Sequence, residues 1–295
     1  MSAVADVRTT MTFDLDHCAV AVRSLDAGAA AYRRLGFNLT SRSLHFAARR
    51  AGAPSEPVGS GNHCAMFRSG YLEIIGITDS TRNSAVKDMV ARYEGVHTVA
   101  IGCASADKAL AGLERRSVPF EAVRLERDAA FGPHDEEARR AIFRNLYVDR
   151  DAFPEARLLF IEHVTPEVLW QPHLLEHPNG VIGIEQCWFA APRPRETAEK
   201  FATLFGVAVE GWAHGFRLPF SRGALLVQSE SYARASFATT WLPPVPAPIG
   251  LGFKVAALQA TEAFLKRSDV RFHYVGNALV VPSGEACGAA LRFFE

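Results

Sequence analysis

A strand–helix–strands pattern recurs four times along the chain, and a chain built this way must stack its copies, because one copy alone cannot bury its apolar face. The first copy opens with Phe13 to Val22, FDLDHCAVAV, whose alternation suits a half-buried strand. A helix follows: Ser24 is placed as N-cap, Asp26 suits the positive helix start, Leu25, Ala29, Tyr32 and Leu35 share one face, and Gly36 closes it. Extended stretches come next at Asn38 to Phe46, at Asn62 to Phe67 beyond a Gly/Pro/Ser loop, and at Tyr71 to Ile77. The unit is βαβββ.

Val96 to Cys103 begins a second unit, with Ser105 as cap, strands near Phe120 to Leu125, Arg144 to Val148 and Arg157 to Val164, and a charged insertion around Arg127 to Arg140. A third unit starts at Val181 and a fourth at Ile249. The expected fold class is therefore α+β. Two pairs of units make the expected domains, 1–165 and 183–295, joined by a linker at 166–182 whose prolines and Asn-Gly read as a short helix and a turn.

Charge and length set limits on function. The formal net charge is zero with signs interspersed, so the basic surplus of a nucleic-acid binder is missing. No apolar run approaches the roughly 20 residues that span a bilayer, and Met1 to Thr12 lacks the basic-then-apolar order of a secretory leader, so no membrane association and a cytoplasmic location are expected. The five cysteines show no CxxC spacing and read as reduced core residues. Four units can satisfy the pairing within one chain, which suits a monomer or a homodimer. No phosphate loop, GxSxG elbow or HExxH is present.

The chemistry-bearing residues lie at matching places in the first two units. His17 and His97 each sit in a first strand; Glu73 and Glu162 each sit in an otherwise apolar last strand. A buried carboxylate demands a partner, whether a metal, an arginine or water on an open face. His17 precedes Glu73 by 56 residues and His97 precedes Glu162 by 65, and this repetition points to a four-residue metal cup. His163 lies on the opposite face from Glu162 by alternation and reads as surface or interface; a register one residue off exchanges the two. His45, Asn62 and His63 are candidate substrate-binding residues. Trp170, Trp188, Trp212, Phe216 and Phe220 read as core or inter-domain packing rather than pocket walls.

The stretches LDHCAVAVRSLDAGAAAYRRLGF at 15–37, GSGNHCAMFRSGYLEIIGI at 59–77 and FIEHVTPEVLWQPHLLEHPNGVIGI at 160–184 give the chain a resemblance to the vicinal oxygen chelate superfamily, and within it to bacterial glyoxalase-like domain proteins. The resemblance implies two cup-shaped mixed sheets with helices packed outside, and His17, Glu73, His97 and Glu162 at four metal-ligand positions. In the second pair Gln186 replaces the first histidine and Gly250 or a neighbour stands in for the other, which implies a structural or lid-like half.

A site of two imidazoles and one or two carboxylates suits one divalent metal among Fe, Mn, Ni, Co and Zn. With both glutamates bound, the implied activity is that of a glyoxalase-like lyase or isomerase. It would act on a vicinal diol, diketone or hydroxy-carbonyl, with Glu73 or Glu162 as catalytic base. With one bound, it is an Fe(II) extradiol-type dioxygenase. The non-enzymatic alternative is a binding or sequestering protein of the bleomycin-resistance kind.

Overall fold

The computed structural model describes residues 13–48, 55–212 and 214–295. Residues 1–12, read above for a leader, and part of the Gly/Pro/Ser loop lie outside them.

The first unit runs β1 (Phe13–Val22), α1 (Leu25–Arg34), β2 (Ser43–Ala48), β3 (Ser55–Met66) and β4 (Tyr71–Ile77), followed by α2 (Ala85–Arg92). The second runs β5 (Gly95–Cys103), α3 (Ala106–Arg115), β6 (Phe120–Phe131), β7 (Glu137–Val148) and β8 (Arg157–His163). Their eight strands form one mixed sheet in the order β2-β3-β4-β1-β5-β8-β7-β6.

The second pair repeats this plan. It contains β9 (Val181–Ala190), α4 (Pro194–Phe205), β10 (Glu210–Trp212), β11 (Gly215–Pro219), β12 (Ala224–Gln228) and α5 (Glu230–Ser236). It continues with β13 (Ala247–Val255), α6 (Leu258–Arg267), β14 (His273–Val275), β15 (Ala278–Val281) and β16 (Ala290–Phe294). The strand order is again palindromic, β10-β11-β12-β9-β13-β16-β15-β14. The protein thus has the expected α+β architecture of two cup-like mixed sheets. No helix among the described residues is long and apolar enough to cross a membrane.

Local chemistry sets these elements. The Ser24 hydroxyl accepts the Ala27 N–H at 3.3 Å, Asp26 sits in the first turn, and Arg33 and Arg34 sit in the last, so α1 is capped and complements its dipole at both ends. It lies directly on β4. A Cβ at Gly76 would come within 2.7 Å of the Leu25 Cα, so only glycine permits this approach.

The convex faces of the two sheets meet in one continuous apolar core. Cys18, Val20 and Val22 of β1 belong to the same cluster as Cys187, Phe189, Leu251 and Phe253 of the second sheet. Phe253 is the hub of a ring cluster, with centroids 5.4 Å from Phe37, 5.7 Å from Phe67 and 5.8 Å from Phe293. Polar bonds cross the same seam: the Tyr32 hydroxyl donates to the Ala286 carbonyl at 3.1 Å, Asn179 donates to the Leu35 carbonyl at 3.0 Å, and Leu15 N–H donates to the Arg222 carbonyl at 2.8 Å. All five cysteines are free, and three are buried.

Several elements differ from the sequence expectation. The charged insertion at 127–140 lengthens two strands: β6 and β7 pair from Phe120–Val148 to Phe131–Glu137 as one long hairpin, with Gly132 and Asp135 turning the chain at its tip. Helices α2 and α5 were not foreseen. Both lie on concave faces, α2 with Val86, Met89 and Val90 against Ala19, Ala21 and Ile75, and α5 with Ala233 and Phe237 against Trp188 and Ile249. The segment 166–182 is more than a connection. The Trp170 indole donates to the Phe67 carbonyl at 3.1 Å, Gln171 donates to the Ala130 carbonyl at 2.9 Å, and one nitrogen of His177 bonds the Met66 carbonyl at 2.8 Å, so the segment is tied down over the first sheet.

Because the core is shared, Phe253→Ala is expected to cost about 3–5 kcal/mol and to lower the urea midpoint of a single unfolding transition that includes both sheets. Two separate transitions, only one of them shifted, would count against a shared core.

Candidate functional site

The concave face of the first sheet encloses a cavity of about 830 Å³, closed on one side by the β6–β7 hairpin and on another by Val168, Leu169, Gln171 and Leu174 of the interdomain segment. His17, Glu73, His45 and Asn62 line it, together with Thr98, Arg127, Asn145, Tyr147 and Arg157.

The β1–β5 ladder decides which side chains enter. These strands pair antiparallel with His17 opposite Ala100 and Ala19 opposite Thr98, and two extra residues interrupt them: Asp16 between Leu15 and His17, and His97 between Val96 and Thr98. Both are bulges, one in each unit. The approximate twofold axis through this ladder equates His17 with Thr98, and Asp16 with His97. Carried through the parallel pairs Ala19–Glu73 and Ala100–Leu159, it equates Glu73 with Leu159.

The four residues expected to form a metal cup are therefore not brought together. His97 is turned away from the cavity; its ring stacks on Tyr93 at 4.0 Å and its Nε2 lies 2.9 Å from the Tyr93 carbonyl. Glu162 faces the outer surface, where it accepts the Ala106 N–H at 2.8 Å at the start of α3 and pairs with Arg144 at 3.2 Å. A carboxylate there neutralises an orphan helix N–H, a structural role. His63 also lies off the cavity, its Nδ1 2.7 Å from the Thr40 carbonyl, because it alternates with Asn62 and Cys64, which face inward.

The helix caps carried the correct register. Ser24 follows His17 by seven positions but Ser105 follows His97 by eight, so alignment on the caps matches His17 with Thr98.

What the cup does hold is a different constellation. Asp16, displaced by the bulge, lies between two imidazoles: His17 Nδ1 is 2.7 Å from its Oδ1, and His163 Nε2 is 3.1 Å from Oδ1 and 3.2 Å from Oδ2. His163 thus faces inward, the outcome of the one-residue register shift weighed above. Burial pushes the Asp16 carboxyl up, but His163 and His17 outweigh it and hold the group well below the ordinary carboxylate range. With Nδ1 engaged, the free nitrogen of His17 is Nε2, 3.5 Å from the Tyr71 hydroxyl, whose ring stacks on the imidazole at 4.2 Å. Burial, with Asp16, Cys64 and Glu73 adding to it, raises the Tyr71 pKa well above 10, so its hydroxyl stays a donor.

Deeper in the cup, Glu73 accepts a hydrogen bond from Asn62, and His45 Nδ1 lies 3.1 Å from the Ser60 hydroxyl. Burial lowers the His45 pKa; Glu73 opposes this, while Arg127 and Arg157 reinforce it, so His45 is neutral at pH 7. Arg127 bonds Ser43 at 3.0 Å and Arg157 lies 4.5 Å above the Tyr147 ring; among the described residues neither has a carboxylate partner. Asp16, Tyr71, Arg127 and Arg157 were not singled out from sequence. Strict alternation puts Asp16 on the wrong face, and nothing marks the two arginines among the others of a charged hairpin and strand.

The donor set does not fit the expected divalent metal. His17 and Glu73 are two of four positions, and their counterparts, Thr98 and Leu159, supply a hydroxyl and a hydrocarbon. Asp16, His17 and His163 bond to one another rather than converging on a common point, and among the described residues no three His, Cys, Asp or Glu side chains could hold a metal ion.

A family model described as glyoxalase-like domain matches residues 15–205. Among solved structures, a hypothetical protein from Staphylococcus aureus is similar with a TM-score of 0.60 and 13% identity, over 96% of this chain and 99% of that one. A mutant 4-hydroxymandelate synthase from Streptomyces coelicolor gives 0.60 and 11%, over 96% and 92%. An Mn(II)-bound glyoxalase from Novosphingobium aromaticivorans gives 0.52 and 10%, over 96% and 82%. At such identities the likeness is one of fold. No curated protein sequence matches the chain.

Two measurements check this geometry. Protein purified without chelators is expected to hold well under one metal ion per chain by elemental analysis; a full equivalent lost in both His17→Ala and Glu73→Gln would restore the metal cup. Burial, with Arg92 and Arg150 adding to it against the Tyr93 hydrogen bond, pulls the His97 pKa from 6.5 to about 4. The folded state therefore favours neutral His97. The stability this provides is complete above pH 6.5 and is lost as pH falls through 4. His97→Gln should flatten the acid limb of unfolding free energy against pH while leaving ligand binding unchanged.

Proposed function

Since the chain belongs to the glyoxalase-like domain family of the vicinal oxygen chelate superfamily, we propose that it is an enzyme moving a proton on a small anionic hydroxy-carbonyl substrate held in the first-sheet cavity. The observation that carries this reading is the His17 ring, tied at Nδ1 to Asp16 and presenting Nε2 to a partly open cavity that two guanidinium groups without carboxylate partners also line. A carboxylate behind an imidazole fixes its tautomer and stabilises the imidazolium formed when the other nitrogen accepts a proton.

In this reading Arg127 and Arg157 hold the substrate's carboxylate, planar guanidinium groups being suited to bidentate pairing. Glu73, oriented by Asn62, accepts from a substrate hydroxyl, and neutral His45 contributes a further hydrogen bond. His17 Nε2 takes the proton from the carbon next to the carbonyl and returns it to the neighbouring carbon or oxygen. The Tyr71 hydroxyl, close to that nitrogen, donates to the oxygen on which negative charge develops. The interdomain segment and the β6–β7 hairpin limit access of water.

The incomplete donor set also favours a second reading, a sequestering protein in which the same cavity holds the molecule without turnover. One experiment separates them. A panel of 2-hydroxy and 2-oxo carboxylates is screened by thermal shift, and those that bind are incubated with the protein in D₂O and followed by NMR. Arg127→Ala with Arg157→Ala is expected to weaken binding tenfold or more. His17→Gln is expected to retain binding and to slow deuterium incorporation about 10²–10⁴-fold. Exchange that survives His17→Gln overturns the assignment of the base, and binding without exchange in the wild type establishes the sequestering reading.

A further inference from the structure

The second sheet was expected to be a structural or lid-like half, and its ligand positions are indeed altered. Gln186 pairs with Gly252 and Trp188 with Gly250 across β9 and β13, so the same twofold argument equates Gln186 with Gly250. A Cβ at Gly250 would meet the Ala290 carbonyl oxygen at 2.7 Å and the Phe237 ring at 2.8 Å: the neighbouring strand and the residue that caps helix α5 occupy the space where a ligand side chain would stand. At the position that matches Leu159 of the first sheet, next to Gly252 on β16, stands Arg292.

Arg292 is half-buried, and its surroundings leave it unmatched. Its Nη2 donates to the Val275 carbonyl at 3.2 Å, and among the described residues no carboxylate pairs with it. Burial lowers its pKa below 12.5, though not out of the range in which it is charged at pH 7. The nearest acidic residue lining the same hollow, Glu210, is taken by Arg217 at 2.6 Å. A half-buried guanidinium with one hydrogen bond and no carboxylate partner keeps N–H donors open to an anion that enters the hollow.

The hollow in front of Arg292 measures about 360 Å³ and is lined by Trp188, Trp212, Leu226 and Gly211 together with Gln186 and the Glu210–Arg217 ion pair. Trp188 and Trp212 meet edge to face at 5.3 Å, Leu226 lines the hollow beside them, and the guanidinium lies 5.9 Å from the Trp188 ring. Trp188 is fixed by its indole N–H, which donates to Gln186 Oε1 at 2.9 Å. Two indoles offer flat faces and edges to a ring, and the guanidinium offers a fork to a planar anion.

We propose that the cup of the second sheet binds a small aromatic carboxylate, its charge paired with Arg292 and its ring lodged against Trp188 and Trp212. The inference does not rest on the activity assigned to the first cavity. It makes the second pair of units a ligand-binding half, for a substrate fragment, product or effector of that class.

The test uses benzoate as probe and benzamide, its uncharged analogue, on the full chain carrying Trp170→Phe and Trp241→Phe, so that fluorescence reports Trp188 and Trp212 alone. Benzoate is expected to quench the emission saturably, with benzamide at least tenfold weaker. Arg292→Met is expected to lower benzoate affinity tenfold or more, and Arg292→Lys, which keeps the charge but not the fork, to fall between. The exposed Trp212→Ala should weaken binding without threatening the fold. Arg127→Ala with Arg157→Ala should leave this titration unchanged, which separates it from failure at the first cavity. Equal binding of benzoate and benzamide, no quenching by benzoate, or a titration that follows Arg127 and Arg157 instead of Arg292 overturns the proposal.

Discussion

The antiparallel pairing of β1 with β5 is the constraint on which the first half of the molecule depends. It joins two βαβββ units into one eight-stranded sheet, sets the twofold relation between them, and curves the product into a cup. The same ladder carries a bulge in each strand. A bulge takes one residue out of the alternation and rotates its side chain out of line with its neighbours, so these two irregularities decide what faces the cavity. One moves Asp16 to where two imidazoles reach it. The other takes His97 out of the alternation next to Thr98, which faces the cavity.

The electrostatics of the cavity follow from this arrangement. Where a metal cup gathers anionic donors round a cation, this cup distributes its charge over protein groups: Asp16 against His163 and His17 at one wall, Glu73 held by Asn62 at another, Arg127 and Arg157 without carboxylate partners. Buried charges this close are stable only when hydrogen-bonded and paired, which Asp16 achieves through both histidines. The two arginines are half-buried in the cavity lining, where desolvation costs less than in the core and a ligand can reach them. In the second sheet the same topology holds Gln186, Leu226, Gly250 and Arg292 in the corresponding places, and α5 fills part of the cup with Phe237. Two copies of one backbone plan thus support different chemistry.

The repeat, the unit boundaries and most of the helices were legible in the chain because they depend on local signals: serine caps, apolar alternation, and glycines at turns. The caps even held the register that alternation alone misassigned, since Ser24 and Ser105 begin equivalent helices while His17 and His97 are one residue out of step. Glu162 shows the limit of counting faces in strands. Its partner in the first unit is Gly76, not Glu73, and the helix start it neutralises becomes its neighbour only when α3 packs on β8. Helices α2 and α5 were missed because each is short and follows a strand already assigned to the end of a unit.

By itself, then, the sequence determined the α+β class and the fourfold unit, and it picked out His17, Glu73, His45 and Asn62, which line the cavity, all consequences of patterns that span a few residues. Tertiary structure alone decided the rest. The bulges appear only when two strands 80 residues apart are laid side by side, and the hairpin and interdomain segment become cavity walls only when they fold over the sheet. Whether a buried carboxylate meets a metal, an imidazole or a helix N-terminus is likewise a matter of which distant groups come within hydrogen-bonding distance, and Asp16 and Glu162 found different answers from strands of the same sheet.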